Sequence, residues 1–252
     1  VRAARDDLGY PVAVPRPVRR IVSLVPSLTE SVAASVEGPG LLVGATDWCS
    51  HPPDLAVARV GGTKSPSLAA VLALAPDLVL ANFEENRLAD VEALRAAGVA
   101  VWVTAPRTVP AALTSLGRLL AVCGIASPPW YAAACAAWPP GPPPPPRVRA
   151  LVPIWKKPWM ALGSDTFAGD LLARLGVANV LASSPDRYPA FALSALPAYD
   201  LVVLPDEPYA FTPDDAAAFG GVPCAFVSGR HLTWYGPSLA TAPAVLGAAL
   251  YS

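Results

Sequence analysis

Short pieces of this 252-residue chain recur at one fixed displacement, and no other feature restricts its fold as tightly. Asp77-Leu78-Val79 returns as Asp200-Leu201-Val202, and Gly98-Val99 returns as Gly221-Val222, both 123 positions later. Val25-Pro26 returns as Val152-Pro153 at nearly the same displacement. Two pieces sharing one offset favour an α/β unit used twice over a single large sheet.

The surrounding pattern agrees. β-branched runs alternate with Ala/Leu-rich segments of helical period, the mark of mostly parallel sheets flanked by helices. The first half predicts strands over 20–25, 41–45, 78–81 and 99–104, with helices over 27–36, 68–74 and 88–97. The second half predicts strand 148–153, helix 167–175, strand 201–204, a short helix over 213–219 and strand 224–227.

Between the halves, 109–138 is helical in composition, and five consecutive prolines follow, Pro142 to Pro146. Polyproline extends at about 3.1 Å per residue and behaves as a stiff strut. The expected organisation is an N-terminal α/β lobe, 1–108, a backbone helix with its Pro-rich connector, 109–147, and a C-terminal α/β lobe, 148–252. One long helix ties two similar lobes, with a ligand cleft between them, and a single tie implies small closure motions.

Composition removes several functions. Eighteen basic against 19 acidic residues, with no basic block, leave no footprint for nucleic acid. With 54% apolar and 15% charged residues the chain is not a disordered one. Residues 119–146 carry no charge and are long enough to span a bilayer, but Ser127-Pro128-Pro129 breaks the stretch, so a Pro-interrupted helix packed on the lobes is expected. The start, Val1-Arg2-Ala3-Ala4-Arg5-Asp6-Asp7, has no apolar signal core, which leaves a cytoplasmic protein and a trimmed exported one both open. Gly61-Gly62-Thr63-Lys64 lacks the spacing of a phosphate loop, and no nucleophile elbow or HExxH motif occurs. No enzyme is indicated, and no cofactor is required.

Ligands of open parallel sheets collect outside the carboxyl ends of the strands, and the chemically distinctive residues fall there. The first lobe offers Trp48, His51, Thr63, Glu84 and Glu85 as ligand contacts. The second offers Trp155, Trp159, Glu207, Tyr209, Arg230, His231, Trp234 and Tyr235. At the repeat displacement Glu84 corresponds to Glu207 and Arg107 to Arg230, so related carboxylates and guanidiniums are expected on both sides of the cleft. The tryptophans serve equally as core, and the Glu84-Glu85 pair equally as a solvated helix start. A second reading is direct binding of a zinc-type metal by Cys49, His51 and His231, completed by Glu84, Asp206 or Glu207. The C-x-H spacing of Cys49 and His51 matches no closed structural zinc pattern.

Arg20-Ile21-Val22-Ser23-Leu24-Val25-Pro26-Ser27-Leu28-Thr29-Glu30, Val43-Gly44, Pro52-Pro53, Gly61-Gly62-Thr63, Ala75-Pro76-Asp77-Leu78-Val79, Asp170-Leu171-Leu172, Asn179-Val180 and Trp234-Tyr235-Gly236-Pro237 occur in this order over nearly the whole chain. So arranged, they resemble the helical-backbone metal receptor superfamily, and within it the cobalamin-binding periplasmic proteins of ABC importers (class III substrate-binding proteins). The resemblance implies two lobes on a backbone helix, a cobalamin, corrinoid, siderophore or haem ligand held without chemistry, delivery to an ABC permease, a monomer, and an extracytoplasmic location. It places Trp48 on the corrinoid face and the Trp234-Tyr235 loop over the other side of the ligand. It departs at Ala69 and Phe191, near the positions where cobalamin receptors present glutamates to permease arginines. A cytosolic sensor or enzyme on the same fold is the remaining alternative.

Overall fold

The computed structural model describes residues 2–251; Val1 and Ser252 lie outside the described residues. In the first half, five parallel strands lie in the order Ala58–Arg59, Leu42–Ala45, Ile21–Ser23, Leu78–Asn82, Val101–Thr104. In the second, four parallel strands lie in the order Val177–Asn179, Val148–Leu151, Leu201–Pro205, Cys224–Val227. Apart from the extra edge strand Ala58–Arg59, the two sheets share one strand order. Leu78–Asn82 and Leu201–Pro205 begin 123 positions apart, as do Val101–Thr104 and Cys224–Val227, so the sequence repeat is a repeat of structure.

Every residue of Leu78–Asn82 and of Leu201–Pro205 is buried, as parallel strands covered on both faces must be. Val22, Leu24, Val79, Ala81, Val101 and Val103 pack with Val71, Val91 and Leu94 from the helices. Leu151, Val202, Leu204, Phe211 and Phe219 form the corresponding core of the second half. The helices start where side chains can satisfy their first donors. Ser67 accepts from Ala70 N–H ahead of Leu68–Ala73, and Thr166 accepts from Gly169 N–H ahead of Phe167–Arg174. Thr212 and Asp215 form a capping box at Pro213–Ala216.

Residues 109–138 hold two helices, Val109–Cys123 and Pro129–Ala137, in place of one long helix. Gly124 adopts φ +76° and ends the first, and Pro128-Pro129 withholds the backbone donors a continuous helix needs. Among the described residues no helix is long and apolar enough to cross a membrane. Pro142 to Pro146 are exposed and without regular structure.

Two compact units result. The first comprises Val1–Pro106, Ala112–Cys135 and Tyr235–Pro237; the second comprises Arg107–Ala111, Ala136–Trp234 and Ser238–Ser252. Boundaries therefore do not fall at 108 and 147, and the chain exchanges units more often than a single tie would allow. Within the first unit Tyr235–Pro237 packs closely on the helix Pro26–Ala33: a Cβ on Gly236 would lie 2.8 Å from Ser31 Oγ and 3.0 Å from Ser27 O.

The N-terminal segment, read above only for its lack of a signal core, is a hairpin. Arg2–Arg5 pairs antiparallel with Pro11–Val14. Asp6 shapes the turn by accepting from Leu8 N–H at 3.0 Å and Tyr10 N–H at 2.9 Å, with Gly9 at φ +80°.

Candidate functional site

In the first unit Asn82 organises the end of its strand. Its Oδ1 accepts from the backbone N–H of Glu84 at 2.7 Å and of Glu85 at 3.1 Å. Its Nδ2 donates to Thr104 O at 3.0 Å and to Tyr235 Oη at 2.6 Å. Asn86 completes the arrangement, accepting from Asn82 N–H at 2.8 Å and donating to Thr63 O at 3.0 Å. These buried neutral groups hold Thr63, Glu84 and Glu85, three of the expected contacts, on loops whose backbone has little freedom left. Asn82, Asn86 and Thr104 were not among the expected site residues. The available signal was the pair of asparagines flanking Phe83-Glu84-Glu85 at a strand end.

Trp48 is 69% exposed and Phe83 52% exposed, both on loops that follow strands. Lys64 Nζ donates to Glu84 O. His51 is partly exposed, with Nδ1 3.1 Å from Ser50 Oγ.

Two expectations for this region are corrected. Tyr235 is buried, its hydroxyl held by Asn82 and lying 2.8 Å from Thr104 Oγ1. Burial pushes its phenol well above the usual range, and the Glu85 carboxylate adds to the shift. Tyr235 is framework of the first unit rather than a cover over ligand. Cys49 is likewise core: fully buried, with Sγ 3.0 Å from Thr29 Oγ1 and 3.1 Å from Thr46 Oγ1. Burial raises its thiol pKa against the lowering effect of those hydroxyls, and its sulfur is enclosed in the core between Thr29 and Thr46 rather than presented on the loop with His51. Among the described residues no three His, Cys, Asp or Glu side chains are grouped to hold a metal ion.

The second unit places carboxylates at the equivalent strand end. Gly229 N–H donates to Asp206 Oδ1 at 2.6 Å. Glu207 lies against the same glycine so closely that a Cβ on Gly229 would stand 2.3 Å from Glu207 Cγ and 2.8 Å from its backbone N and O. Burial raises the Glu207 carboxyl above its ordinary range, Asp206 adds to this, and the Trp234 side chain and the Arg230 charge oppose it. His231 bridges Ser228 Oγ, 2.9 Å from Nδ1, and Thr241 Oγ1, 3.3 Å from Nε2. The structure thus sets Glu207, on the loop after Leu201–Pro205, beside the short helix Gly229–Thr233, which carries Arg230 and His231 and is followed by Trp234.

Trp155 is 43% exposed and meets Tyr209 edge-on at 5.8 Å. Trp159, expected beside it as a ligand wall, instead stacks on Phe211 at 6.2 Å and meets Phe219 at 5.3 Å and Phe191 at 6.0 Å. It extends the core of the second unit. Arg107 pairs with Asp165 inside the second unit, which also contains Arg230. The two guanidiniums are not supplied one by each unit, because the chain changes unit at Pro106.

Exposed indole and phenyl faces beside half-buried carboxylates suit a large, partly apolar ligand that also carries polar groups. No family model matches the sequence, and no curated protein matches it significantly. Solved structures do match. The periplasmic vitamin B12 binding protein BtuF of Vibrio cholerae aligns over 94% of this chain and 98% of its own, with a TM-score of 0.73 at 19% identity. A periplasmic heme binding protein from Pseudomonas aeruginosa aligns over 93% of each chain, with a TM-score of 0.71 at 24% identity. CeuE of Helicobacter pylori with Ni(II) bound aligns over 100% of this chain and 89% of its own, with a TM-score of 0.80 at 12% identity. The chain therefore has the fold of these periplasmic binding proteins, two α/β units with parallel sheets flanked by helices, as the resemblance in its sequence implied.

Proposed function

We propose that this chain is a substrate-binding protein that holds a metal chelate, a haem- or corrinoid-like macrocycle or a ferric siderophore, without altering it. The carrying observation is that large aromatic side chains remain exposed beyond the carboxyl ends of sheet strands in both units, Trp48 and Phe83 on loops of the first and Trp155 at the end of the short strand Pro153–Trp155 in the second. Exposed aromatics gathered where α/β sheets bind ligands are a recognition surface rather than a packing remnant. His51, Thr63, Glu84 and Glu85 in the first unit, and Glu207, Tyr209, Arg230, His231 and Trp234 in the second, supply the polar and lateral contacts. Support comes from the similar structures, described as binding heme, vitamin B12 or Ni(II). An extracytoplasmic location and delivery to an ABC permease belong to the same proposal, supported by the periplasmic character of those proteins.

Hemin, cyanocobalamin, cobinamide, a ferric siderophore and Ni(II)-histidine should be titrated into the folded chain while tryptophan fluorescence and ligand absorption are followed. Saturable binding of one of them is expected. Silence from all five, with the protein folded, overturns the proposal.

A further inference from the structure

We infer that the proline run Pro142 to Pro146 is a docking surface for a protein domain that reads polyproline through an aromatic-lined groove with an acidic rim. Each of these prolines has φ fixed by its ring, and each of the first four is also held extended by the proline after it. The run therefore forms a left-handed polyproline helix of three residues per turn, whose backbone carbonyls have no internal donors. All five residues are exposed, as are Pro139, Pro140 and Gly141 before them. A contiguous apolar stretch left uncovered by its own chain marks an interaction site.

Where the run begins and ends separates this reading from that of a spacer. Ala136–Trp234 lies in the second unit, so the prolines leave and rejoin the same body and do not connect the two units. Both flanks are fastened to that body. Before the run, Trp138 is buried with its indole N–H donating to Leu239 O at 2.9 Å, and Gly141 O accepts from Arg174 Nη1 at 3.0 Å. After it, Arg147 N–H donates to Gly176 O at 2.7 Å, and a Cβ on Gly176 would lie 3.3 Å from Arg147 Cγ, so the arginine stem packs against the same turn. A stiff run pinned at both ends is pre-organised, which lowers the ordering cost of binding. The spacing completes the surface, because Pro142, Pro145 and Arg147 make Pro-x-x-Pro-x-Arg. At three residues per turn Pro142 and Pro145 share one edge of the helix, and the exposed Arg147 follows as the cation for an acidic rim.

An isotopically labelled SH3 domain that selects Pro-x-x-Pro-x-Arg ligands is the probe, titrated with the intact chain and, as a control, with a free peptide of residues 138–149. The indole N–H resonance of its groove tryptophan should shift saturably with both. Pro142→Ala combined with Pro145→Ala should weaken binding by about tenfold or more, since each removes a ring seated in the groove. Arg147→Gln should weaken it by about tenfold, the size of one charge-assisted hydrogen bond. None of these changes should alter the chelate titration, which keeps this surface's failure distinct from that of the chelate site. Binding by the peptide but not by the intact chain overturns the proposal, because the body then shields the run. Silence from both, or equal binding by the double proline variant, overturns it as well.

Discussion

The strands Leu78–Asn82 and Leu201–Pro205 occupy the same place in two copies of one sheet, yet the residues just beyond them behave in opposite ways. After the first, amides and hydroxyls from Asn82, Asn86, Thr104 and Tyr235 close into a buried neutral network. After the second, Asp206 and Glu207 keep carboxyl groups near the surface, braced by Gly229, Arg230 and Trp234. A duplicated scaffold leaves strand order and core untouched because every residue of those strands packs on both faces. Strand-end loops carry no such constraint, so the two copies diverge there. One end has become a rigid support for exposed aromatics, and the other a polar rim.

The largest expected effect lies on the rigid side. Asn82→Leu orphans the N–H groups of Glu84 and Glu85 and the Tyr235 hydroxyl, and should lower stability by about 3 kcal/mol or more. Urea unfolding measures it, and a loss below about 1 kcal/mol would show that the network is not structural. Gly229→Ala should cost about 2 kcal/mol, because its methyl group meets Glu207 from backbone to Cγ. If the variant is as stable as the parent, the close contact between Asp206-Glu207 and the helix Gly229–Thr233 is not maintained in solution.

The next effect is a pH dependence. The folded Glu207 carboxyl holds its proton more tightly than its ordinary value of 4.5 allows. Its contribution to stability is therefore complete below that value and is lost as pH rises through the raised folded pKa. Glu207→Gln should flatten the fall in stability with rising pH above 4.5 relative to the parent; parallel curves would mean that Glu207 is solvated. Smallest of all, Trp48→Ala should change stability by less than about 0.5 kcal/mol, since the side chain is 69% exposed. The same change should weaken chelate binding by about tenfold or more. A large loss of stability would make Trp48 framework, like Trp159.

Much of the scaffold was legible beforehand for a local reason. Runs such as Leu78-Val79-Leu80-Ala81 and Leu201-Val202-Val203-Leu204 are apolar without alternation, which only a strand buried on both faces tolerates. The strand Val177–Asn179 was missed because three residues carry no period, and Ala58–Arg59 because it has two. The break in the connecting helix was visible in Pro128-Pro129, though its earlier end at Gly124 was not. Within the candidate site, Trp48 and Glu207 lie where a strand-end rule puts them. Tyr235 and Trp159 look no different from them in sequence, because exposure depends on neighbours brought from elsewhere.

Residue pattern alone determined that this chain makes two parallel-sheet units from one repeated plan, since burial on both faces and helical period are written into consecutive residues. Only the tertiary structure decided which polar and aromatic groups serve the framework. Asn82 and Tyr235 are 153 residues apart, and whether they bond to each other or to a ligand is set by chain closure over that distance. Cys49 became core and Arg107 paired with Asp165 for the same reason: the partners that consume a side chain's chemistry are non-local, and no local pattern records them.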